Sequence, residues 1–466
     1  MNDEKNDESS PVSPSTKYQK NHNDLSISKE TFSNGYEYTK ITNNNTLSKQ
    51  RKLILHFDNR NTLQLSLFLF LFVANNVSST TIEQGVNNFL TGVLWGYEND
   101  KDEWEWISTS PSLQKPDNCP KCITYFKYLE NQIVREAIDR KDLRARTGNF
   151  IYNEGACFRQ FYDELIESLR YNKLGGLERE REDLILTIEE VRELKTNELQ
   201  PPVENNQRKR RLSILHSDPV PVNGFRSTNG TLYHYILPSF FRLIKYLQDT
   251  NRDFVIYLRT MGDDSKNFLT NSKRILSNEH PSFQFHQSLD VNLEPGRIER
   301  KNDQSICLQM KFQEDSDIQI ITDEFLIHEK LESGHGIHAI KDDFNAWFGT
   351  NYHYSTSKPI WFDPDDRNPR SHHILFDDNF RVIDPYDSIV DIRIMNREKH
   401  KCYSCPFELY PKLENIFAVQ ANLYLILADH EYYIKTVEEC EKNLDQLLQD
   451  AQTLKKIKEE SCIDHL

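Results

Sequence analysis

The chain has 466 residues, of which 37% are hydrophobic and 28% charged, and its formal net charge is −15. This length allows two or three domains, and the acidic balance disfavours a nucleic-acid binder, which usually presents a basic face. Because residues 1–50 contain no apolar leader and the strongest apolar run, residues 63–74, is too short to span a bilayer, we expect a cytoplasmic protein without membrane contact.

The first 50 residues are rich in Asn, Ser, Lys, Asp and Glu and lack apolar periodicity. Such a segment cannot bury enough apolar surface to offset its chain entropy. The sequence therefore predicts disorder over 1–50. An apolar strand follows and ends in Asp58 within the sequence HFDNRNT.

Residues 75–200 are predicted to form a mostly helical module. Apolar residues recur at helical spacing over Thr81–Leu94, and three later segments are amphipathic. These segments are 123–140, 157–171 and 177–198. Trp95, Trp104 and Trp106 lie in this region and favour an apolar interior over a ligand platform. The Leu/Phe run at 65–73 is typical either of a buried strand or of part of a buried helix.

A linker is predicted over 201–234, because Pro201 and Pro202 end the preceding helix. It contains the basic cluster Arg208–Arg211, followed by Ser213. This pattern fits a phosphorylation site, a nuclear address or a solvated charged loop. Nuclear access is therefore an alternative to a purely cytoplasmic location.

The second half of the chain alternates helices and strands, as in a parallel α/β sheet. A helix begins at Pro238 and leads to the strand Phe254–Leu258, which is followed by Arg259 and Thr260. Residues 337–348 are predicted as a helix, and His372–Phe376 as a strand that precedes Asp377. The remaining predictions are strands at 306–312, 318–322 and 389–394, a strand or helix at 324–330, and helices from about 412 to 460.

Side chains with phosphoryl-transfer chemistry occur beside these strands. Asp58 can attack phosphorus to form an acyl phosphate, while Thr260 offers donors to phosphoryl oxygens and Lys358 neutralises charge. Asp377 and Asp378, together with Asp58, supply the hard oxygen ligands that Mg²⁺ prefers. The order of these residues along the chain therefore predicts one shared site.

Four segments resemble the motifs of the haloacid dehalogenase-like superfamily, within which they look like an uncharacterised eukaryotic group. They are HFDNRNT, FVIYLRT, SKP and HHILFDDN. The resemblance implies an α/β fold, with a Rossmann-like parallel-sheet core from 51–63 and 235–410. It also implies a large, mostly helical cap inserted after the first strand, and C-terminal helices over 411–466.

The same resemblance implies a Mg²⁺-dependent phosphohydrolase or phosphotransferase that forms an aspartyl-phosphate. Its substrate would be a phosphorylated small molecule or a phosphoprotein. Asp58 and Lys358 would be catalytic, with phosphate bound by Thr260, Arg259 and Arg60. Asp58, Asp377 and Asp378 would hold the metal.

The chain departs from the superfamily pattern in two places: the Leu/Phe run at 65–73, where such proteins have a short flap, and one single position. Phosphatases of this kind carry an acid/base Asp two residues after the nucleophile, where this chain has Arg60. Arginine cannot be deprotonated in a protein, so it cannot perform that proton transfer. Asp263, Asp264 or His372 could replace it. The alternative is a catalytically silent protein of this fold that binds a phosphorylated ligand or a protein partner.

Two Cys-x-x-Cys pairs, Cys119/Cys122 and Cys402/Cys405, have the spacing of zinc ligands. Together they could form a four-thiolate zinc site. They could equally be unrelated loop cysteines, because nearly 300 residues separate the pairs.

Overall fold

The structure is a computed structural model that describes residues 26–31, 37–42, 51–58, 62–63, 82–134, 139–171, 224–226, 231–263, 265–280, 283–301, 305–312, 317–386 and 388–461. The chain divides into two units, Met1–Gln50 and Arg51–Leu466. In the first unit, strands β1 (Ser26–Thr31) and β2 (Glu37–Thr42) pair antiparallel. The sequence predicts no regular structure there, so this hairpin is a difference from expectation.

The second unit is mixed α/β and contains the remaining described strands. In chain order these are β3 (Lys52–Asp58), β4 (Trp95–Glu98), β5 (Trp104–Trp106), β6 (Ile123–Thr124), β7 (Gly224–Arg226), β8 (Leu232–His234), β9 (Phe254–Thr260), β10 (Gly296–Arg300), β11 (Ile306–Met310), β12 (Gln319–Ile321), β13 (Gly336–Lys341), β14 (Lys358–Phe362), β15 (Ser371–Asp377), β16 (Val390–Asn396), β17 (Lys401–Ser404) and β18 (Ala418–Gln420).

The α-helices of this unit are distributed between and around these strands. In chain order they are α1 (Ile82–Val93), α2 (Tyr125–Ile133), α3 (Arg140–Thr147), α4 (Arg159–Leu169), α5 (Pro238–Asp249), α6 (Ser265–Arg274), α7 (Glu324–Ser333), α8 (Phe344–Gly349), α9 (Tyr410–Leu413), α10 (Leu423–Ala428), α11 (Tyr432–Gln449) and α12 (Ala451–Ser461). No helix in the described residues is long and apolar enough to cross a bilayer.

An eight-stranded sheet in the order β12-β11-β10-β13-β9-β3-β15-β18 forms the centre of the unit. The run from β10 to β18 is parallel, while β11 and β12 are antiparallel to their neighbours. From β3 the chain first extends the sheet through β9 and β13. It later adds β15 and β18 on the other side of β3.

Both faces of the central sheet are covered. On β3, Leu53, Leu55 and Phe57 enter one hydrophobic cluster, which also contains residues of α5, α6 and α11. Ile54, between them, enters a different cluster that contains residues of α7. This alternation follows from the two-residue period of a strand, and it explains why the strand sequences are almost continuously apolar.

Strands β14, β16 and β17 form a separate three-stranded sheet. Its side chains contact the central sheet, since Ile360 shares a cluster with Leu375 and Trp361 shares one with Ile54. The sequence places Lys358 before a strand of the core sheet. The structure instead puts Lys358 at the start of β14, which brings it over one face of the central sheet.

Between residues 82 and 169, where the sequence predicts part of a helical module, the structure has α1 to α4 together with the small sheet β5-β4-β6. Trp104 and Trp106 pack edge to face inside it. The module shares one continuous hydrophobic cluster with the central sheet, which contains Leu90 of α1 and Phe57 of β3. The Leu/Phe run at 65–73, the predicted helix at 177–198 and the basic cluster at 208–211 lie outside the described residues.

Two further predictions of secondary structure, both in the second unit, are wrong. The segment 337–348 is predicted as a helix, but Gly336–Lys341 forms β13 in the central sheet and only Phe344–Gly349 is helical. The region from 411 onwards is predicted as helical, but Ala418–Gln420 forms the edge strand β18. The core sheet therefore extends beyond residue 410.

Candidate functional site

The carboxyl ends of β3 and β15 meet where the order of strands reverses. Phe57 lies opposite Phe376 in register, so Asp58 and Asp377, the next residue of each strand, lie side by side. In open α/β sheets, ligands bind outside the carboxyl ends of the strands at such a reversal. The fold therefore places two carboxylates where this architecture forms a binding crevice.

Lys358 joins these two carboxylates. Its ammonium group donates hydrogen bonds to Asp58 Oδ1 and to Asp377 Oδ2, the latter at 2.7 Å. Lys358 and Asp377 are fully buried, and Asp58 is 7% exposed. The two carboxyl groups can be buried together here because each of them is paired with the same ammonium group.

Asp378 completes a cluster of carboxylates. Oxygen atoms of Asp58, Asp377 and Asp378 lie within 4.8 Å of one another. Three carboxyl groups therefore converge beside one ammonium group. A compact set of hard oxygen donors of this kind fits Mg²⁺, which usually takes one or two carboxylates together with water and phosphate.

The charge state of the site follows from its burial. Burial raises the pKa of Asp58 to about 8, Lys358 opposes this shift, and Asp377 and Asp378 add to it. Burial also acts to lower the pKa of Lys358, but the carboxylates of Asp377 and Asp58 outweigh it and raise that pKa above its ordinary value. The lysine therefore stays charged, while Asp58 needs further positive charge to ionise fully at neutral pH.

Thr260 ends the neighbouring strand. Asp58 pairs with Arg259 in register, so Thr260 lies one residue beyond that pair at the same edge of the sheet. Its hydroxyl accepts a hydrogen bond from the Gly262 backbone N–H at 3.0 Å, and its carbonyl accepts one from the Asp342 N–H. These contacts fix the end of β9 beside Asp58.

Arg259 is committed to partners inside the protein. It is fully buried and forms a two-pronged ion pair with Asp342, with Nε at 3.0 Å from Oδ2 and Nη2 at 2.5 Å from Oδ1. Its Nη1 donates to the Pro359 carbonyl at 3.0 Å and to His56 Nδ1 at 3.3 Å. The structure thus gives Arg259 a positioning role, where the resemblance implies phosphate binding.

Two of the three alternative acid/base residues, Asp263 and His372, lie in unsuitable places. Asp263 is exposed and pairs with Lys341. His372 is buried near the start of β15, where its Nε2 contacts the Ile416 carbonyl at 2.9 Å, so it lies at the wrong end of the strand that carries Asp377. Arg60 and Asp264 lie outside the described residues.

Asp342 is the site residue that the sequence reasoning missed. It directly follows β13 and orients Arg259, whose Nη1 also holds the carbonyl of the residue after Lys358. The sequence Lys341-Asp342-Asp343 could have revealed Asp342, because paired carboxylates also mark the end of β15, at Asp377 and Asp378. Reading 337–348 as one helix concealed this signal.

The two cysteine pairs do not form a joint zinc site. Cys119 and Cys122 are joined to each other by a disulfide, whereas Cys402 and Cys405 carry free thiols. Among the described residues, the cluster around Asp58 is the group that could hold a metal ion.

The fold and site define a mixed α/β protein with a cluster of carboxylates around a buried lysine at the carboxyl edge of its sheet. No family model, curated protein or solved structure matches the chain.

Proposed function

We propose that the protein is a Mg²⁺-dependent phosphohydrolase or phosphotransferase of the haloacid dehalogenase-like kind, with a Rossmann-like core and a helical cap. The observation that carries this proposal is the contact of one buried ammonium group, Lys358, with both Asp58 and Asp377 at the reversal of strand order. Phosphoryl transfer depends mostly on positioning and charge neutralisation, which this arrangement provides.

In the proposed reaction, an oxygen of Asp58 forms a bond to phosphorus as the bond from phosphorus to the leaving oxygen breaks. Lys358 holds the attacking carboxylate in place, and Thr260 ends the strand beside Asp58, where its hydroxyl would donate to phosphoryl oxygens. Bound Mg²⁺ would supply positive charge that lowers the pKa of Asp58 and neutralises the phosphoryl group. Asp58, Asp377 and Asp378 would hold it.

Arg60 sets the expected range of substrates. It cannot give a proton to the leaving oxygen or take one from water. A leaving group of low basicity needs no such proton, so acyl and aryl phosphates should react faster than alkyl phosphates. Hydrolysis of the aspartyl-phosphate needs a general base, so this intermediate should accumulate.

The experiment is to incubate the protein with acetyl phosphate and Mg²⁺ and to follow covalent phosphorylation by intact-mass spectrometry. We expect one added phosphoryl group, lost on treatment with hydroxylamine, and none with Asp58→Asn. Asp249→Asn is the matched control, because Asp249 is an exposed carboxylate paired with Lys245 on α5. Phosphorylation that persists in Asp58→Asn would exclude Asp58 as the nucleophile.

The second candidate is a silent protein of this fold that binds a phosphorylated ligand or a protein partner. The presence of Arg60 at the usual acid/base position favours it. It predicts no phosphoenzyme and no turnover of aryl phosphates, while calorimetry still detects Mg²⁺ binding that Asp378→Asn weakens. Trapped phosphoenzyme would refute this candidate.

A further inference from the structure

A cavity of about 550 Å³ lies at the amino end of β15. Its lining includes Ser371, the first residue of that strand, and none of the four residues Asp58, Lys358, Asp377 and Asp378. The cavity reaches His373, and a strand rises ~3.3 Å per residue, so the four residue steps from His373 to Asp377 separate it from the carboxylate cluster by roughly 13 Å. The cavity is therefore distinct from the site of the proposed function.

Aromatic rings and imidazoles line much of this cavity. They belong to Phe325, His328, Trp361, Phe362, His373 and Phe417. The His328 and His373 rings stack at 5.0 Å between centroids. A volume of this size, lined by aromatic rings together with many polar groups, can hold a small organic molecule.

A chain of hydrogen bonds fixes the proton positions on His373. Arginine always donates, so Arg259 makes His56 Nδ1 an acceptor at 3.3 Å. His56 Nε2 must then carry the proton and donate to His373 Nδ1 at 3.0 Å. His373 is consequently protonated on Nε2.

That N–H group is buried without a protein partner. His373 is 2% exposed, and its Nε2 contacts no hydrogen-bonding group among the described residues. Nδ1 faces His56 on β3, so Nε2 lies on the other side of the ring, and His373 is one of the residues that line the cavity. A buried donor left unpaired is costly, so a molecule in the cavity that accepts this hydrogen bond removes that cost.

Negative charge lines the α7 side of the cavity. Within the described part of the chain, Glu329 and Glu332 have no Lys or Arg within ion-pair distance, although Glu332 accepts a hydrogen bond from Ser371. Asp363 and Asp366, also in the lining, share the single cation Arg397. Arg370 is a second cation in the lining, so four carboxylates face two arginines. The cavity thus combines aromatic walls with excess negative charge.

We propose that this cavity binds a flat heteroaromatic amine. The ammonium group would face Glu329 and Glu332, the ring would lie against the aromatic walls, and a ring nitrogen would accept the His373 Nε2–H bond. This site does not depend on phosphoryl chemistry at Asp58.

Three probe molecules test the ammonium group and the ring nitrogen separately. 2-(Pyridin-4-yl)ethylamine has both the ammonium group and the ring acceptor, phenylethylamine lacks the acceptor, and pyridin-4-ylacetate reverses the charge. By calorimetry we expect the first to bind most tightly, and phenylethylamine to bind about 2- to 10-fold more weakly, as for one hydrogen bond. The acetate should not bind. In ¹⁵N spectra, the first probe should shift the His373 Nε2 resonance.

The variant Glu329→Gln with Glu332→Gln should weaken binding of 2-(pyridin-4-yl)ethylamine at least 5-fold. Glu408→Gln, at an exposed residue outside the cavity, is the control and should bind as wild type does. Thermal melting shows whether each variant is folded, and the comparison of three probes on the wild-type chain needs no variant. Three results would each overturn the proposal. The acetate would bind as tightly as 2-(pyridin-4-yl)ethylamine, or the double variant would bind that amine as the wild type does. The third result is an unshifted His373 resonance, because water alone satisfies its N–H group.

Discussion

At the scale of single residues, Lys358 is the side chain on which the carboxylate cluster depends. It is fully buried, and both of its carboxylate partners are at least nine-tenths buried. Removing one member of a buried ion pair leaves an uncompensated charge, which costs far more than the pair itself contributes. Asp58 and Asp377 would repel each other without the ammonium group between them.

We therefore predict that Lys358→Met lowers the free energy of unfolding by about 3–5 kcal/mol, measured by urea denaturation. Lys435→Met is the control, because Lys435 is 59% exposed in its pair with Asp429, and exposed pairs contribute little to stability. Mg²⁺ should restore more stability to Lys358→Met than to the wild type, since the cation can compensate the same carboxylates. Equal losses in the two variants would contradict the structural role of Lys358.

Arg259 shows how a neighbouring residue positions this lysine. Its guanidinium group connects Asp342, at the end of β13, with the carbonyl of Pro359 beside Lys358. Lysine at position 259 would keep the charge but lose the two-pronged geometry. We predict that Arg259→Lys destabilises the fold by roughly 2–4 kcal/mol and lowers phosphoenzyme formation. Arg242→Lys, on the half-exposed side of α5, is the control and should leave both quantities nearly unchanged.

At the scale of elements, the strands that end in charged residues could be read from the sequence. Three apolar strands, β3, β9 and β15, end in Asp58, Thr260 and Asp377. Their apolar content predicts buried strands, and their polar last residues predict where those strands end. β13 was missed because Gly336–Lys341 precedes a true helix and has no alternation of its own, being buried on both faces. Periodicity cannot separate such a strand from a buried helix.

The position of Lys358 could not be predicted from local sequence either. It depends on the pairing of β14 with β16, which are separated in the chain by β15. No local pattern encodes that pairing. The sequence could identify the lysine as a candidate, but only the tertiary fold brings it to both Asp58 and Asp377.

Gly336 offers a test of how β13 enters the sheet. Its φ is +80°, and a Cβ there would lie 2.2 Å from the Asp290 carbonyl oxygen. We predict that Gly336→Ala destabilises the protein by at least ~1–3 kcal/mol, because the added methyl group both strains the backbone at this φ and clashes with neighbouring backbone. Urea denaturation measures this change.

Gly92 provides the matched comparison for that substitution. It lies within α1, and no atom is found within 4 Å of a Cβ built there. Gly92→Ala should therefore stabilise the protein by about 0.5–1 kcal/mol. A stabilising effect at Gly336 as well would show that β13 does not begin with this backbone conformation.

At the scale of the whole molecule, the helical module and the central sheet share their interior. Leu90 and Tyr162 of the module belong to the same buried cluster as Phe57 and Phe240. The Tyr424 hydroxyl on α10 also donates to Glu164 on α4 at 3.1 Å. A cap that closes over the site would have to move against this shared interior, so closure is better sought in smaller shifts than in rotation of the whole module.

The interior also holds buried histidines that make the stability of the molecule depend on pH. Burial lowers the pKa of His372 to about 3, with its backbone contact to Ile416 opposing and Arg51 and Arg252 adding to the shift. Burial likewise lowers the pKa of His234 to about 4 and that of His280 to about 4. In the unfolded chain these groups titrate near pH ~6.5.

Between those values the unfolded state binds more protons than the folded state, so the free energy of unfolding falls as pH falls. The contribution of His372 is fully present above pH ~6.5 and should be lost at up to about 1.4 kcal/mol per pH unit below it. We predict that His372→Gln reduces this slope between about pH 6 and 4.5, measured by urea denaturation at several pH values. His286→Gln is the control, since the side chain of His286 is 75% exposed. An identical slope in wild type and His372→Gln would mean that His372 already binds a proton in the folded protein, despite its burial.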